Sequence, residues 1–307
     1  VTIGSATYLG DIYLLDQNPV VNDNVVDSKP PASVVIKTLE YKEFPIISFE
    51  IIKNKAKIVK AEGRTLPTFV TGNNTLNPST GSYGGYYISN LQFNKNMTIN
   101  VTGDILIVAD RLTFGTNNRT INITGTGKLE IYIGNPNATT IPNYTSARFG
   151  SINNNVIFGN SENVKNLIIY VDSHKINNNV PTISLAGNNS IIYGSFMFNN
   201  ASISFSNNCS FSGYLVTNGS SVILPNNGSL STKGLVFAPL GTAYMLNNSV
   251  YRGSIVAENV NITKGTFTYD PLAFDSMPFV INDPINQIGY TSGYALNYEY
   301  DSTTEVD

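Results

Sequence analysis

Between Asn189 and Thr263 the chain repeats itself in units too short to fold alone. Gly194, Gly213, Gly234 and Gly253 follow one another at spacings of 19, 21 and 19 residues. Two residues after each stands an apolar side chain (Phe196, Leu215, Val236, Ile255), and nine after stands another (Ile203, Val222, Ala243, Ile262). Eight after each come Ser202, Ser221, Thr242 and Asn261, all small and polar. Thirteen and fourteen after the first three glycines come the pairs Asn207-Asn208, Asn226-Asn227 and Asn247-Asn248. A period of about 20 residues carrying short alternating segments marks a solenoid, in which each coil rests on the last. The alternation has period 2 and Ile, Val, Phe, Thr and Ser dominate it, so the segments are strands. Asn tolerates left-handed backbone and stacks in ladders, which places the paired asparagines in turns. The repeat predicts an all-β fold: a parallel β-helix with about 20 residues and three short strands per coil.

The rest of the chain arranges itself around this unit. Residues 1–90 hold one or two N-terminal strands, a short helix and a loop. The strand pattern (Val1, Ile3, Tyr8, Ile12, Leu14) closes at Pro30-Pro31. The helix spans Ser48 to Ala61, with Ser48 as its cap, Phe49, Ile52, Ala56 and Val59 on one face, and Gly63 as its stop. Such a helix is expected to plug the open first coil, with Lys53, Lys55, Lys57 and Lys60 on a solvated face. Residues 91–270 hold the coils. There Thr98-Ile-Asn-Val-Thr-Gly103 returns as Thr120-Ile-Asn-Ile-Thr-Gly125, at a spacing of 22. Asn135 to Asn155 breaks the rhythm and reads as a projecting loop. Residues 271–307 form an aromatic tail expected to pack on the β-helix, and the whole is one structural domain. The chain opens in mid-pattern at Val1, which suggests a mature segment whose export signal or anchor lies upstream.

Composition removes several functions. Charged residues are 13% of the chain and the net charge is −3, whereas nucleic-acid binding needs a concentrated basic face. No apolar run reaches the length of a membrane span, so this segment is not expected to insert in a membrane. The single cysteine, Cys209, falls inside the repeat and reads as a buried thiol. The one histidine, His174, reads as a turn residue without a nucleophile partner. Within the coils the carboxylates are sparse (Asp104, Asp110, Glu130, Asp172, Glu258, Asp270) and none is paired at acid–base spacing, so the chain is not expected to be an enzyme. No cofactor is implied. A structural calcium has candidate seats in the acidic N-terminal loop (Asp11, Asp16, Asp23, Asp27) and in the tail, without a spaced ligand motif. The many Asn-x-Ser/Thr triplets follow from composition and carry no glycosylation claim.

The chain has 18 Tyr, 15 Phe and no Trp. A tyrosine offers a ring face to a sugar and a hydroxyl for hydrogen bonding, and irregular segments are where binding surfaces usually sit. The candidate carbohydrate-binding residues are therefore Tyr83, Tyr86 and Tyr87, then Tyr144 and Phe149, then Tyr290, Tyr294 and Tyr298. A second feature is an outward stripe on the strand after each repeat glycine, where Met197, Val216, Phe237 and Val256 alternate with the inward residues. Such a stripe is expected to lie under the helix, the 135–155 loop or the tail, or else to be an exposed contact surface.

Three segments carry a resemblance: Gly234-Leu-Val-Phe-Ala-Pro239, Val250-Tyr-Arg-Gly-Ser-Ile-Val-Ala257 and Phe267-Thr-Tyr-Asp270. They are similar to the last coils of β-helical surface proteins encoded with type IV pilus systems. Within that group, the Asn- and Tyr-rich, Trp-free composition over residues 60–270 resembles the C-terminal domain of tāpirins. Those are cell-surface proteins of cellulose-degrading thermophilic bacteria, whose β-helical domain adheres to cellulose. The resemblance implies an extracellular, surface-attached adhesin with insoluble polysaccharide as its partner and an association with type IV pili. The alternatives are a structural or pilus-partner protein using the apolar stripe, and a polysaccharide lyase or hydrolase with an unrecognised site.

Overall fold

Met97, Ile99 and Val101 are buried while Thr98 is half-buried and Asn100 exposed, and this alternation recurs along the chain. It is what a half-buried strand requires, and stacking such strands in parallel buries the apolar rows in one continuous core. The computed structural model describes residues 2–9, 12–14, 36–38, 49–137, 149–173, 180–226 and 232–269. Within them the chain is a parallel β-helix of about eight turns with one short α-helix. At a rung spacing of about 4.8 Å the rod is about 40 Å long.

Strands β1 (Thr2–Leu9), β2 (Ile12–Leu14) and β3 (Ile36–Thr38) precede helix α1 (Glu50–Glu62). The coils are built from β4 (Gly72–Leu76), β5 (Tyr86–Phe93), β6 (Met97–Val101), β7 (Ile105–Phe114), β8 (Thr120–Gly125), β9 (Leu129–Ile133) and β10 (Ile157–Phe158). They continue through β11 (Leu167–Val171), β12 (Thr182–Ala186), β13 (Ile191–Phe198), β14 (Ser202–Phe205), β15 (Ser210–Thr217), β16 (Ser221–Ile223), β17 (Thr232–Met245) and β18 (Ser249–Tyr269). The first wall stacks β4, β6, β8, β10 and the leading residues of β13, β15 and β17. A second wall stacks the start of β5, β7, β9, β11 and the later residues of β13, β15, β17 and β18. The third holds the ends of β5 and β7, then β12, β14, β16 and the end of β17. The coils thus begin at β4, earlier than residue 91.

The repeat glycines form a ladder at one corner: Gly194 pairs with Gly213, Gly213 with Gly234, and Gly234 with Gly253. Each has φ between 135° and 152°, and a Cβ on Gly234 would land on the Gly213 carbonyl. Only glycine fits such a corner. The asparagine turns behave as their pairing suggested. Asn155, Asn189, Asn208 and Asn248 are left-handed, and the Asn226 Nδ2 donates to Asn207 Oδ1 at 3.3 Å one coil away. Cys209 is fully buried with its Sγ 2.8 Å from the Gly187 carbonyl oxygen, and burial pushes the thiol pKa up.

Four features depart from the sequence reading. The 98–103 and 120–125 repeat is not the pairing register, because Thr98 lies beside Asn122 and Ile99 beside Ile123. A slip of two residues leaves every side chain on its own face, so the core does not oppose it. The N-cap of helix α1 is Phe49 rather than Ser48, with no side-chain cap bond; Glu50 complements the dipole there, and Gly63 (φ 63°) stops the helix by donating to Val59 O. That helix does not plug the first coil. Its face of Phe49, Ile52, Ala56 and Val59 packs on the outside of the second wall, against Leu106, Val108, Tyr132 and Tyr170. Each buried aliphatic side chain there contributes about 1.5–3 kcal/mol. Lastly, Phe149 to Asn155 is part of the rod, since Phe149 bridges to Leu112 and Ile152 to Ala186.

The apolar stripe is covered through Phe237, and its last member, Val256, is half-buried. Met197, Val216, Leu235 and Phe237 are each 4% exposed or less and belong to the same cluster as the helix face. At the other end of the rod, β1 pairs in parallel with β18 from Thr2↔Asn261 to Leu9↔Thr268. β1 thus sits on the last rung, while α1 packs beside the first ones. The tail, residues 271–307, lies outside the described residues.

Candidate functional site

The turn between β4 and β5, in the first coil, presents a tyrosine. Glycines at 81, 84 and 85 let the backbone fold sharply, and Tyr83 takes a left-handed conformation (φ 58°, ψ 23°) with 47% of its surface exposed. A bulky non-glycine residue held there is strained, and such strain persists only where surrounding contacts enforce it. Those contacts are present. The Ser82 amide donates to Glu62 Oε2 at 2.9 Å and the Ser82 hydroxyl to Glu62 Oε1 at 2.6 Å. The Ser79 hydroxyl donates to Gly85 O at 2.7 Å, and the Gly85 amide to Ser82 O at 3.0 Å. Gly85 lies so close to Val59 of α1 that a Cβ would collide with it. The Ser82 hydrogen bonds hold the Glu62 pKa below its ordinary value. Lys55 sits 5.5 Å over the Tyr83 ring, a cation–π contact.

Tyr86 and Tyr87 point to opposite sides of β5, as neighbours on a strand must. Tyr86 packs on the interior core and its hydroxyl donates to Asn77 O at 2.7 Å. Tyr87 packs in the cluster under α1, and its hydroxyl donates to Asp110 Oδ2 at 2.6 Å. That bond, with burial and the Asp110 charge, pushes the Tyr87 hydroxyl up to about 12. Lys60 lies 4.9 Å over the Tyr87 ring and pairs with Asp110 Oδ1 at 2.6 Å. Lys60 is thus not on a solvated face. Beside this pair opens a cleft of about 380 Å³ lined by Lys60, Ser89, Asn90, Asp110, Arg111 and Asn135.

Of the sequence candidates, the structure gathers Tyr83 and Tyr87 beside α1 and turns Tyr86 inward. Phe149 is corrected: it is 1% exposed and belongs to the interior file of phenylalanines, 6.4 Å from Phe114 and 5.9 Å from Phe198. An in-register bridge to the third wall leaves its ring nowhere else to go. Tyr144, Tyr290, Tyr294 and Tyr298 lie outside the described residues, as do His174 and Asp11, Asp16, Asp23 and Asp27. The cleft residues were missed because they come together from α1, β5, β7 and the end of β9. The one local signal was Asp110-Arg111, two charges directly after the apolar run Ile105–Ala109.

Several coil carboxylates are tied to their neighbours. Besides Asp110, Asp172 accepts from the Tyr132 hydroxyl at 2.6 Å, and Glu130 from the Tyr170 hydroxyl at 2.9 Å. Burial and the Glu130 charge hold the Tyr170 hydroxyl far above the ordinary phenol range. Among the described residues there is no group of three or more His, Cys, Asp and Glu able to hold a metal, and no helix is long and apolar enough to cross a membrane.

Residues 48–223, from the start of α1 through β16, match a domain of unknown function, DUF7305. The chain belongs to this family. The family segment takes in Tyr83 and the cleft, while β1, β17 and β18 fall beyond it. No curated protein and no solved structure matches the chain.

Proposed function

We propose that this chain is a non-catalytic, cell-surface adhesin domain that holds insoluble plant polysaccharide, crystalline cellulose first. The observation that carries the reading is Tyr83: an exposed ring, fixed by Glu62 and Ser82 in a conformation that costs free energy to hold. A pre-fixed ring loses little entropy when a sugar stacks on it. The first wall adds a polar lattice. Asn73, Thr98 and Asn122 lie side by side across three rungs, as do Thr75, Asn100 and Thr124. The rungs are about 4.8 Å apart, and repeated weak hydrogen bonds to sugar hydroxyls on such a grid sum to avidity. The carboxylates Asp110, Glu130 and Asp172 serve tyrosine hydroxyls, an arrangement that suits scaffolding. The tāpirin resemblance supports cellulose as the ligand and attachment at the cell surface alongside type IV pili. The pilus-partner alternative relied on an exposed apolar stripe, which is buried at Met197, Val216 and Phe237 and half-buried at Val256. Retention of the protein on microcrystalline cellulose, assayed at low and high salt beside xylan and chitin, tests the reading. Stacking and neutral hydrogen bonds survive salt, so saturable retention at both strengths is expected, and none at either would overturn it.

A further inference from the structure

In the cleft beside Tyr87 each side-chain carboxylate and amide oxygen already accepts a hydrogen bond, while several donors are free among the described residues. Asp110 gives Oδ1 to Lys60 and Oδ2 to the Tyr87 hydroxyl. Asn90 Oδ1 accepts from the Thr113 hydroxyl at 3.3 Å, and Asn135 Oδ1 accepts from Lys60 at 3.4 Å and from the Asn137 amide at 3.2 Å. What remains without a partner among the described residues is the exposed Arg111 guanidinium and the amide nitrogens of Asn90 and Asn135, with the Ser89 hydroxyl at the rim. Lys60 and Asp110 cancel, so the cleft carries the single positive charge of Arg111. A guanidinium in one cleft with two amide donors suits a planar, two-oxygen anion. The volume of about 380 Å³ lies at the small end of ligand sites and accommodates a single sugar ring with its substituents.

We propose that this cleft binds the carboxylate of a uronic acid unit, with Arg111 gripping the carboxylate and Asn90, Asn135 and Ser89 meeting the ring oxygens. The inference rests on the polysaccharide-binding reading and narrows it: the domain holds neutral sheets through Tyr83 and its polar wall, and acidic wall glycans through the cleft. The two modes differ in their response to salt, because an exposed ion pair is screened and ring stacking is not.

Titration calorimetry of the full chain with trigalacturonate, its methyl ester and triglutamate tests this at low salt. Trigalacturonate is expected to bind saturably. The ester, which has the same shape without the charge, is expected to bind at least about tenfold more weakly, and Arg111→Gln to lose a similar factor for the acid. Arg111→Lys, which keeps the charge but not the fork, is expected to fall between. Unchanged thermal unfolding of both variants shows that the fold survives. Equal binding of acid and ester, equal binding of triglutamate, an unaffected Arg111→Gln variant, or no binding of the acid would each overturn the proposal. Retention of the wild type on cellulose is read separately. A protein that holds cellulose and ignores trigalacturonate overturns this inference alone, and one that binds trigalacturonate but not cellulose overturns the cellulose reading alone.

Discussion

Glu62, in the last turn of α1, takes both the amide and the hydroxyl of Ser82, at 2.9 and 2.6 Å. The residue next to Ser82 is the exposed, left-handed Tyr83, so one carboxylate sets the pose of the ring. Its pKa is lowered by the Ser82 bonds, which means the carboxylate form is the one the folded turn prefers. That contribution is complete above the ordinary value of 4.5 and is lost as pH falls through the lowered one. Retention on cellulose is therefore expected to drop in that acid range for the wild type. Glu62→Gln, which can still accept from the amide and donate to the hydroxyl, is expected to be flat with pH, and Glu62→Ala to be weak throughout.

Two glycines, the α1 stop Gly63 and the ladder residue Gly234, separate two effects of adding a methyl group. Gly63 is left-handed, but nothing lies within 4 Å of where a methyl group would stand, so Gly63→Ala is expected to cost about 1 kcal/mol. Gly234 has φ 135° and a neighbouring carbonyl in the way, so Gly234→Ala is expected to cost about 3 kcal/mol or more. Urea unfolding of the two variants checks the ordering.

Phe149 gives a stability readout rather than a binding one. Removing a ring from the phenylalanine file leaves a cavity, so Phe149→Ala is expected to destabilise by about 3–5 kcal/mol. Retention on cellulose per folded molecule is expected to stay at the wild-type level, measured at a temperature well below the melting point of the variant.

Tyr87 and Asp110 set an alkaline limit. Because the Tyr87 pKa is raised to about 12, the neutral phenol is the form the fold stabilises. Its contribution is complete below the ordinary value of 10 and fades as pH rises through about 12. Tyr87→Phe is expected to cost about 1–2 kcal/mol near neutral pH, from the lost bond to a charged acceptor, and the gap from wild type to narrow in that alkaline window. Denaturant midpoints across the pH series measure it.

The solenoid was legible because its constraints are local and periodic. A corner that only glycine can turn must repeat at every coil, and Gly194 through Gly253 do so. A left-handed turn position selects asparagine, and Asn189, Asn208 and Asn248 mark it. The face of α1 was readable from its own spacing, but not the surface it packs on. Helix amphipathicity says that a partner exists, and the buried stripe of Met197, Val216 and Phe237 said the same from the other side. The stripe pattern offered the helix, the 135–155 loop or the tail as its cover; α1 meets the wall at Leu106, Val108, Tyr132 and Tyr170, and Met197, Val216 and Phe237 continue the same buried cluster along it. Phe149 was misread because two prolines upstream disguise its return to the third wall. The cleft was invisible for a different reason: Lys60, Asp110 and Asn135 are 50 and 75 residues apart along the pairs that join them.

The most direct measurement is a depletion isotherm of the purified domain on microcrystalline cellulose, comparing the wild type with Tyr83→Ala and Tyr83→Phe in high salt. The wild type is expected to saturate, Tyr83→Phe to keep most of the affinity because the ring remains, and Tyr83→Ala to lose about tenfold, the scale of a lost aromatic contact. Equal isotherms for wild type and Tyr83→Ala, or no depletion by any of the three, would contradict a polysaccharide-binding surface built on this tyrosine.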